Sequence, residues 1–365
     1  MRYLILVNAI ATVCFASVSV QAADETTKVS GYGFIDLTDL SKTTTTKASG
    51  AEVDDKGNGI GLDVKRFYVG IDHVFDDTWS ANVTTDFQYA SAISNTEVFI
   101  KKAYLQMKVN DGFVLRAGSS EMPWTSFVEP QYGFRYIEKT ATDLGGVANT
   151  TDWGLHATGK FADGIVNYAV SVVNGGGFKN PTRSKTMDVE ARIGVMPVKG
   201  LSIGIGAYTG KRGLETDLNP AEKNYTRYDA MIGYVSDRFR LGAEYYLARN
   251  LSTVQQDGTA NPNGTIPSAA RIDSDKAHAI SGWASVNFTS RIAAFLRYDD
   301  VKSSPSDSIN PNRENTSKYW HAGVGFQLRK NIDLALAYKN TKTDTNFGTT
   351  SSSTNEFGLW SQLKF

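Results

Sequence analysis

Residues Gly118 to Asp152 read GSSEMPWTSFVEPQYGFRYIEKTATDLGGVANTTD, the longest run in the first half of the chain without a strand pattern. Pro123 and Pro130 deny this stretch a central strand position, because proline cannot donate to a ladder. It carries Trp124, Phe127, Tyr132, Phe134 and Tyr136 beside the charges of Glu121, Glu129, Arg135, Glu138, Lys139 and Asp143. Connections this long without their own secondary structure are usually functional or disordered. Disordered chains are poor in aromatics, so the stretch reads as packed. Both of its flanks alternate apolar and polar residues. The expectation is a β-barrel closed around the segment, with residues 119–150 folded inward to narrow it.

Outward from the segment, alternation with a period of two recurs almost everywhere. In Val64–Phe75, Phe67, Val69 and Ile71 oppose Arg66, Tyr68 and Asp72. Trp79 to Tyr89 and Phe99 to Val109 repeat the scheme, and Asn110-Asp111-Gly112 is a hairpin turn. The run of strands and turns continues to Asn355–Phe365, with long polar stretches at 42–59, 174–186, 210–224, 250–277, 301–317 and 341–354. The reading gives about sixteen strands, joined alternately by long loops and short turns. That pattern describes an all-β, transmembrane antiparallel barrel of the outer-membrane kind, with Gly118–Asp152 as its third long loop. Aromatics near strand ends fit two interfacial belts: Phe75, Trp79 and Phe161 at the short turns, and Tyr89, Phe99, Trp153 and Tyr168 at the long loops. A soluble β-sandwich would also alternate, but with its polar face outward. Barrels of about 16 to 18 strands enclose water.

The first residues, MRYLILVNAIATVCFASVSVQAADE, have a basic Arg2, an apolar run and a small-residue site at Ala22. They read as a signal peptide, residues 1–22, leaving 23–365 as the barrel domain. The only cysteine, Cys14, falls in that leader, so disulfide and thiolate chemistry are not expected. With 38 basic and 38 acidic groups, the chain has no global bias toward nucleic acid.

The last strand, NEFGLWSQLKF, places Phe357, Leu359, Leu363 and Phe365 on one face and ends on an aromatic. It resembles the C-terminal insertion signal of outer-membrane barrels. Lys65-Arg66-Phe67-Tyr68-Val69-Gly70, Asp77-Thr78-Trp79-Ser80, Ile100-Lys101-Lys102-Ala103-Tyr104-Leu105 and Leu115-Arg116-Ala117-Gly118 resemble Gram-negative porins of the phosphate-selective O/P type, over roughly residues 60–160. The resemblance implies a water-filled channel for passive diffusion of small hydrophilic solutes and ions, an outer-membrane location in contact with lipid, a homotrimer, and a constriction at Glu121–Thr150. Phosphate selectivity would call for a dense basic ladder. The loop instead carries four acids, Glu121, Glu129, Glu138 and Asp143, against Arg135 and Lys139.

By alternation the lumen should receive Arg66, Lys102, Arg116, Arg227, Arg240 and Arg297, facing Asp72, Asp86, Asp188, Glu190, Asp229, Glu244 and Asp299. Acids on the loop opposite wall arginines would set a transverse field, and charged rings of that sort tune ion preference. The same residues could equally form wall salt bridges. A solute-specific channel for an anion or a carbohydrate is the alternative, and an outer-membrane enzyme or adhesin a remote one. Gly200-Leu201-Ser202-Ile203-Gly204 matches G-x-S-x-G, but a nucleophile elbow needs a strand-to-helix turn, and here a strand follows. His73, His156, His278 and His321 are scattered without metal-binding spacing, so no cofactor or metal is expected.

Overall fold

The computed structural model describes residues 25–90, 95–215, 223–251, 275–304, 314–346 and 348–365. The expected signal peptide, with Cys14, lies outside the described residues, as do most of 250–277 and parts of 210–224 and 301–317.

The strands are β1 (Thr26–Thr46), β2 (Glu52–Asp54), β3 (Gly59–Val74), β4 (Trp79–Ala90), β5 (Asn95–Asn110), β6 (Phe113–Glu121), β7 (Thr151–Phe161), β8 (Val166–Val173) and β9 (Asp188–Val195). They continue as β10 (Leu201–Gly210), β11 (Tyr225–Val235), β12 (Phe239–Arg249), β13 (Lys276–Asn287), β14 (Ile292–Ser304), β15 (Asn315–Arg329), β16 (Ile332–Thr345) and β17 (Thr350–Lys364). Every pairing is antiparallel, and β1 pairs with both β3 and β17, which closes the sheet. The three-residue β2 is an arm within the first long loop, paired to Thr43–Thr45. The remaining sixteen strands form the barrel. Closure leaves no open edge, whose unpaired amides and carbonyls lipid could not satisfy.

The facing is that of a membrane barrel. Ile71, Ile203, Ile205, Ile232, Leu241, Ile280 and Leu336 are exposed on the outside, while Arg227, Asp229, Glu244 and Arg297 are buried on the inside. A soluble sandwich would show the reverse.

Three details depart from strict alternation. First, the strands run further than their hydropathy indicates. Thr43–Thr46 pairs with Thr350–Ser353, so much of the expected loops 42–59 and 341–354 is ladder. Ser and Thr on both faces give no alternation signal, although Thr fits a strand well. Second, register shifts interrupt the ladder between Val64 and Phe67 and between Thr84 and Thr85. These bulges insert one residue and flip the phase, which brings Lys65 inside beside Arg66, and Lys101 inside beside Lys102. The same flip puts Phe99 on the interior face against Phe178, not in an aromatic belt. Third, Tyr168 sits at the short-turn end, stacked on Phe161 with its hydroxyl donating to the Gly112 carbonyl at 3.0 Å.

The segment between β6 and β7 is not a bare loop. It holds α1 (Thr125–Tyr132) and α2 (Ala141–Leu144). Gly133 ends α1 in the left-handed region (φ 79°), its amide donating to the Glu129 carbonyl at 2.9 Å, the usual role of glycine past a helix end. The buried apolar clusters form where this segment meets the wall. Met122 and Val147 pack with Tyr208, Tyr225 and Tyr246. Tyr136 and Ile137 pack with Phe34, Phe295 and Trp360. Trp124, Val128 and Tyr132 pack with Met231 and Trp283.

Candidate functional site

The segment is fastened to the polar face of β9–β16 through its backbone. Irregular backbone away from water needs a partner for each amide and carbonyl, and the wall supplies them. Arg192 donates to the Pro123 carbonyl at 3.1 Å, Arg240 to the Pro130 and Gln131 carbonyls at 2.5 and 2.9 Å, and Arg227 to the Val147 carbonyl at 2.7 Å. Arg297 donates to the Lys139 carbonyl. Each of the two fully buried arginines also has its own acid: Arg227 lies 2.8 Å from Asp229 and 3.0 Å from Glu190, and Arg297 lies 2.6 Å from Asp299. Two buried carboxylates take the donors. Glu244 accepts from the Trp124 indole at 2.8 Å, the Thr142 hydroxyl at 2.9 Å and the Ala141 amide at 3.2 Å. Glu190 accepts from the Trp124 amide at 2.7 Å. Glu138 meets Lys339 at 3.1 Å, and Lys339 meets Glu356 at 2.6 Å. Burial opposes ionisation of Glu138, but Lys339, the Lys139 amide and Arg297 outweigh it and hold the carboxyl at about 2.

Small residues on β10 make room for this packing. A Cβ at Gly206 would lie 2.8 Å from the Trp124 ring, and one at Gly204 would lie 2.2 Å from the Phe127 ring. Ser202 of the G-x-S-x-G match is buried in β10, between Leu201 and the exposed Ile203, with no helix after it.

On the opposite side, toward β1 and β3–β6, the segment borders open space. Two cavities lie there. The one toward the short turns is lined by Ser30, Asp72, Lys102, Glu121 and Glu129, among others. The one toward the long loops is lined by Arg66, Lys139, Asp143, Phe178 and Lys179, among others. Both share Lys101, Arg135 and Thr150. Arg135 is fixed within the segment, 2.9 Å from Glu129 and 3.1 Å from Asp143. Those carboxylates raise its pKa further, against burial. Lys101 donates to the Tyr68 hydroxyl at 3.0 Å and lies over that ring at 4.4 Å. Glu121 bridges Lys102 at 3.0 Å and Arg116 at 2.9 Å. Arg66 reaches Asp86 at 3.8 Å.

The sequence-predicted residues therefore separate into two sets. Arg66, Lys102, Arg116, Glu121, Glu129, Arg135, Lys139 and Asp143 gather around the cavities or in contact with their lining. Arg227 and Arg297, expected to line open water, lie instead behind the segment and hold its carbonyls. Arg240 also binds segment carbonyls, beside a separate cavity near the short turns. Glu138 faces Lys339 rather than either cavity. Alternation misses Lys101, which the bulge turns inward. The signal was present: adjacent charges at Lys101-Lys102 would put one in lipid, at a cost of roughly 2–4 kcal/mol near the midplane, unless the strand is bulged.

No curated protein matches the chain. Among solved structures, the chain is similar to the outer-membrane channel DcaP of Acinetobacter baumannii (TM-score 0.65, 16% identity, 95% of this chain and 100% of that one). It is also similar to OmpT, an outer membrane protein of Vibrio cholerae, in its trimer form (0.59, 12%, 94% and 100%) and to an anion-selective porin from Comamonas acidovorans (0.58, 12%, 94% and 100%). These likenesses are of fold, and they agree with the closed barrel. The family model for Gram-negative porins matches residues 9–346, so the chain belongs to that family and is an outer-membrane channel for passive diffusion rather than an enzyme.

Proposed function

We propose that small hydrophilic solutes and ions cross between the Gly118–Asp152 segment and the wall of β1 and β3–β6, with residues 119–150 as the constriction. One observation carries this reading: the two cavities between the segment and this wall share Lys101, Arg135 and Thr150 in their lining. Glu121, Glu129, Arg135, Lys139, Asp143, Arg66, Lys102 and Arg116 are then the charges a solute meets. Deleting Thr125–Thr142 should widen the passage and raise single-channel conductance in a planar bilayer. A folded, heat-modifiable deletion variant with unchanged conductance would sink the constriction.

The same proposal includes a cleaved leader at residues 1–22, a homotrimer, and an insertion signal at Phe357, Leu359, Leu363 and Phe365, whose side chains lie on the outer face or at its edge. A narrower kinship with the phosphate-selective O/P type rests on the motifs between residues 60 and 160. A dedicated phosphate ladder is the weaker reading, because the wall cations Lys102 and Arg116 share Glu121 and the segment's Arg135 is matched by Glu129 and Asp143.

A further inference from the structure

A second stretch, from the loop joining β8 and β9, also reaches into this region. Residues 176–180 lie across the start of β7, where the Phe178 amide donates to the Thr151 carbonyl at 3.1 Å. The Gly177 amide donates to Asp152 at 3.1 Å, and the Trp153 indole donates to the Phe178 carbonyl at 3.3 Å. These bonds carry the turn past β7 and β6 to β4 and β5. There Phe178 meets Phe99 edge-on at 6.1 Å, and Lys179 lies 4.0 Å over the Phe99 ring. Lys101 is held between the rings of Tyr68 and Phe178, at 4.4 and 5.4 Å.

The charge around this cavity is lopsided. Its lining carries Arg66, Lys101, Arg135, Lys139 and Lys179 against a single carboxylate, Asp143. The other acids nearby do not line this cavity. Asp86 beneath Arg66 is fully buried, Glu97 pairs with Lys179 at 3.6 Å, and Glu129 lines the other cavity. Lys101 has no carboxylate within ion-pair distance among the described residues; its partners are a phenol and two aromatic faces. Aromatic faces hold an ammonium in place without cancelling its charge.

We infer that residues 176–180 form a second selectivity element on the long-loop side of the constriction, and that Lys179, with Lys101, makes this mouth favour small anions. The inference rests on the proposed solute path but concerns a different loop. The segment sets how wide the channel is, and the turn at 176–180 sets which sign of charge reaches it first. Charges held at a channel mouth raise the local concentration of the opposite ion.

The test is the reversal potential of the purified channel in a KCl gradient, applied in each direction. Lys179→Glu replaces a positive with a negative charge, a change of two units, and should lower the chloride-to-potassium permeability ratio at least about fivefold, the weight of a single charge at about 4 Å in water. The effect should shrink at 1 M salt, where the Debye length is ~3 Å. Lys179→Arg should keep the wild-type ratio. Phe178→Ala, which removes one of the two rings that hold Lys101 and the edge contact on the Phe99 ring beneath Lys179, should give an intermediate ratio. An unchanged ratio in a heat-modifiable Lys179→Glu barrel would overturn the inference. Failure here with a conductance rise on deleting Thr125–Thr142 would leave the constriction standing. An unchanged conductance in that deletion would remove the constriction while leaving the result for Lys179 readable.

Discussion

The two sides of this barrel use the same residue types for opposite ends. Behind the segment, on β9–β16, Arg227, Arg297, Glu190 and Glu244 are dry, and each one is consumed by a partner. Arg227 and Arg297 have no water-facing surface. On β1 and β3–β6, Lys102, Arg116 and Glu121 keep a quarter to a third of their side chains open. A buried charge is tolerable only when paired and hydrogen-bonded, and removing one partner strands the other. A half-open charge pair has water as a substitute partner and contributes little to stability. The dry wall thus determines where the segment sits, and on the proposed path the wet wall would set the electric field a solute meets.

The largest effect should follow from breaking the dry wall at its hub. Glu244→Ala leaves the Trp124 indole and the Ala141 amide without an acceptor, and the Thr142 hydroxyl with only the Thr140 hydroxyl at 3.4 Å. Each stranded donor costs ~1–3 kcal/mol, and together they should detach the segment without opening the sheet. Limited proteolysis should then cut within Thr125–Thr142, and single-channel currents should become noisy. A quiet, protease-resistant Glu244→Ala channel would contradict the division between the walls.

A smaller effect should come from acid. The Glu138 carboxyl is depressed from 4.5 to about 2, so its contribution to anchoring is complete above pH 4.5 and is lost as pH falls through about 2. The shift corresponds to roughly 3 kcal/mol. Conductance should be steady from pH 8 to 5, with noise growing below pH 4. In Glu138→Gln the noise should already be present at neutral pH and its rise below pH 4 should disappear. A wild-type change centred near pH 6 would assign the anchoring to other groups.

The smallest effect on stability belongs to the wet wall. In Lys102→Ala, Glu121 keeps Arg116, so stability should change by no more than ~1 kcal/mol, and heat-modifiability should match the wild type. The reversal potential should nevertheless move toward cations. If this variant melts as badly as Glu244→Ala, the two walls do not differ in kind.

Most of the barrel was legible along the chain because its rule is local. A strand in lipid must present apolar side chains on one face, and the period of two records that at every step. The same rule placed Phe357, Leu359, Leu363 and Phe365 on one face, and it put Arg227, Glu244 and Arg297 on the inner one. It failed where the rule stops. Thr43–Thr46 and Ser351–Ser353 have no apolar face to declare, so their ladder is silent in hydropathy.

The sequence by itself determined the closed sheet, its strand number, and the packed, aromatic character of Gly118–Asp152. Only the tertiary structure decided which inner charges face water. That depends on which wall the segment covers, and the choice is made by partners more than a hundred residues apart, such as Trp124 with Glu244 and Glu138 with Lys339. Alternation sorts inside from outside, but it cannot separate two positions on the same inner face. The separation comes from long-range pairing, where Gly204 and Gly206 leave room for aromatic rings and buried carboxylates collect the segment's donors.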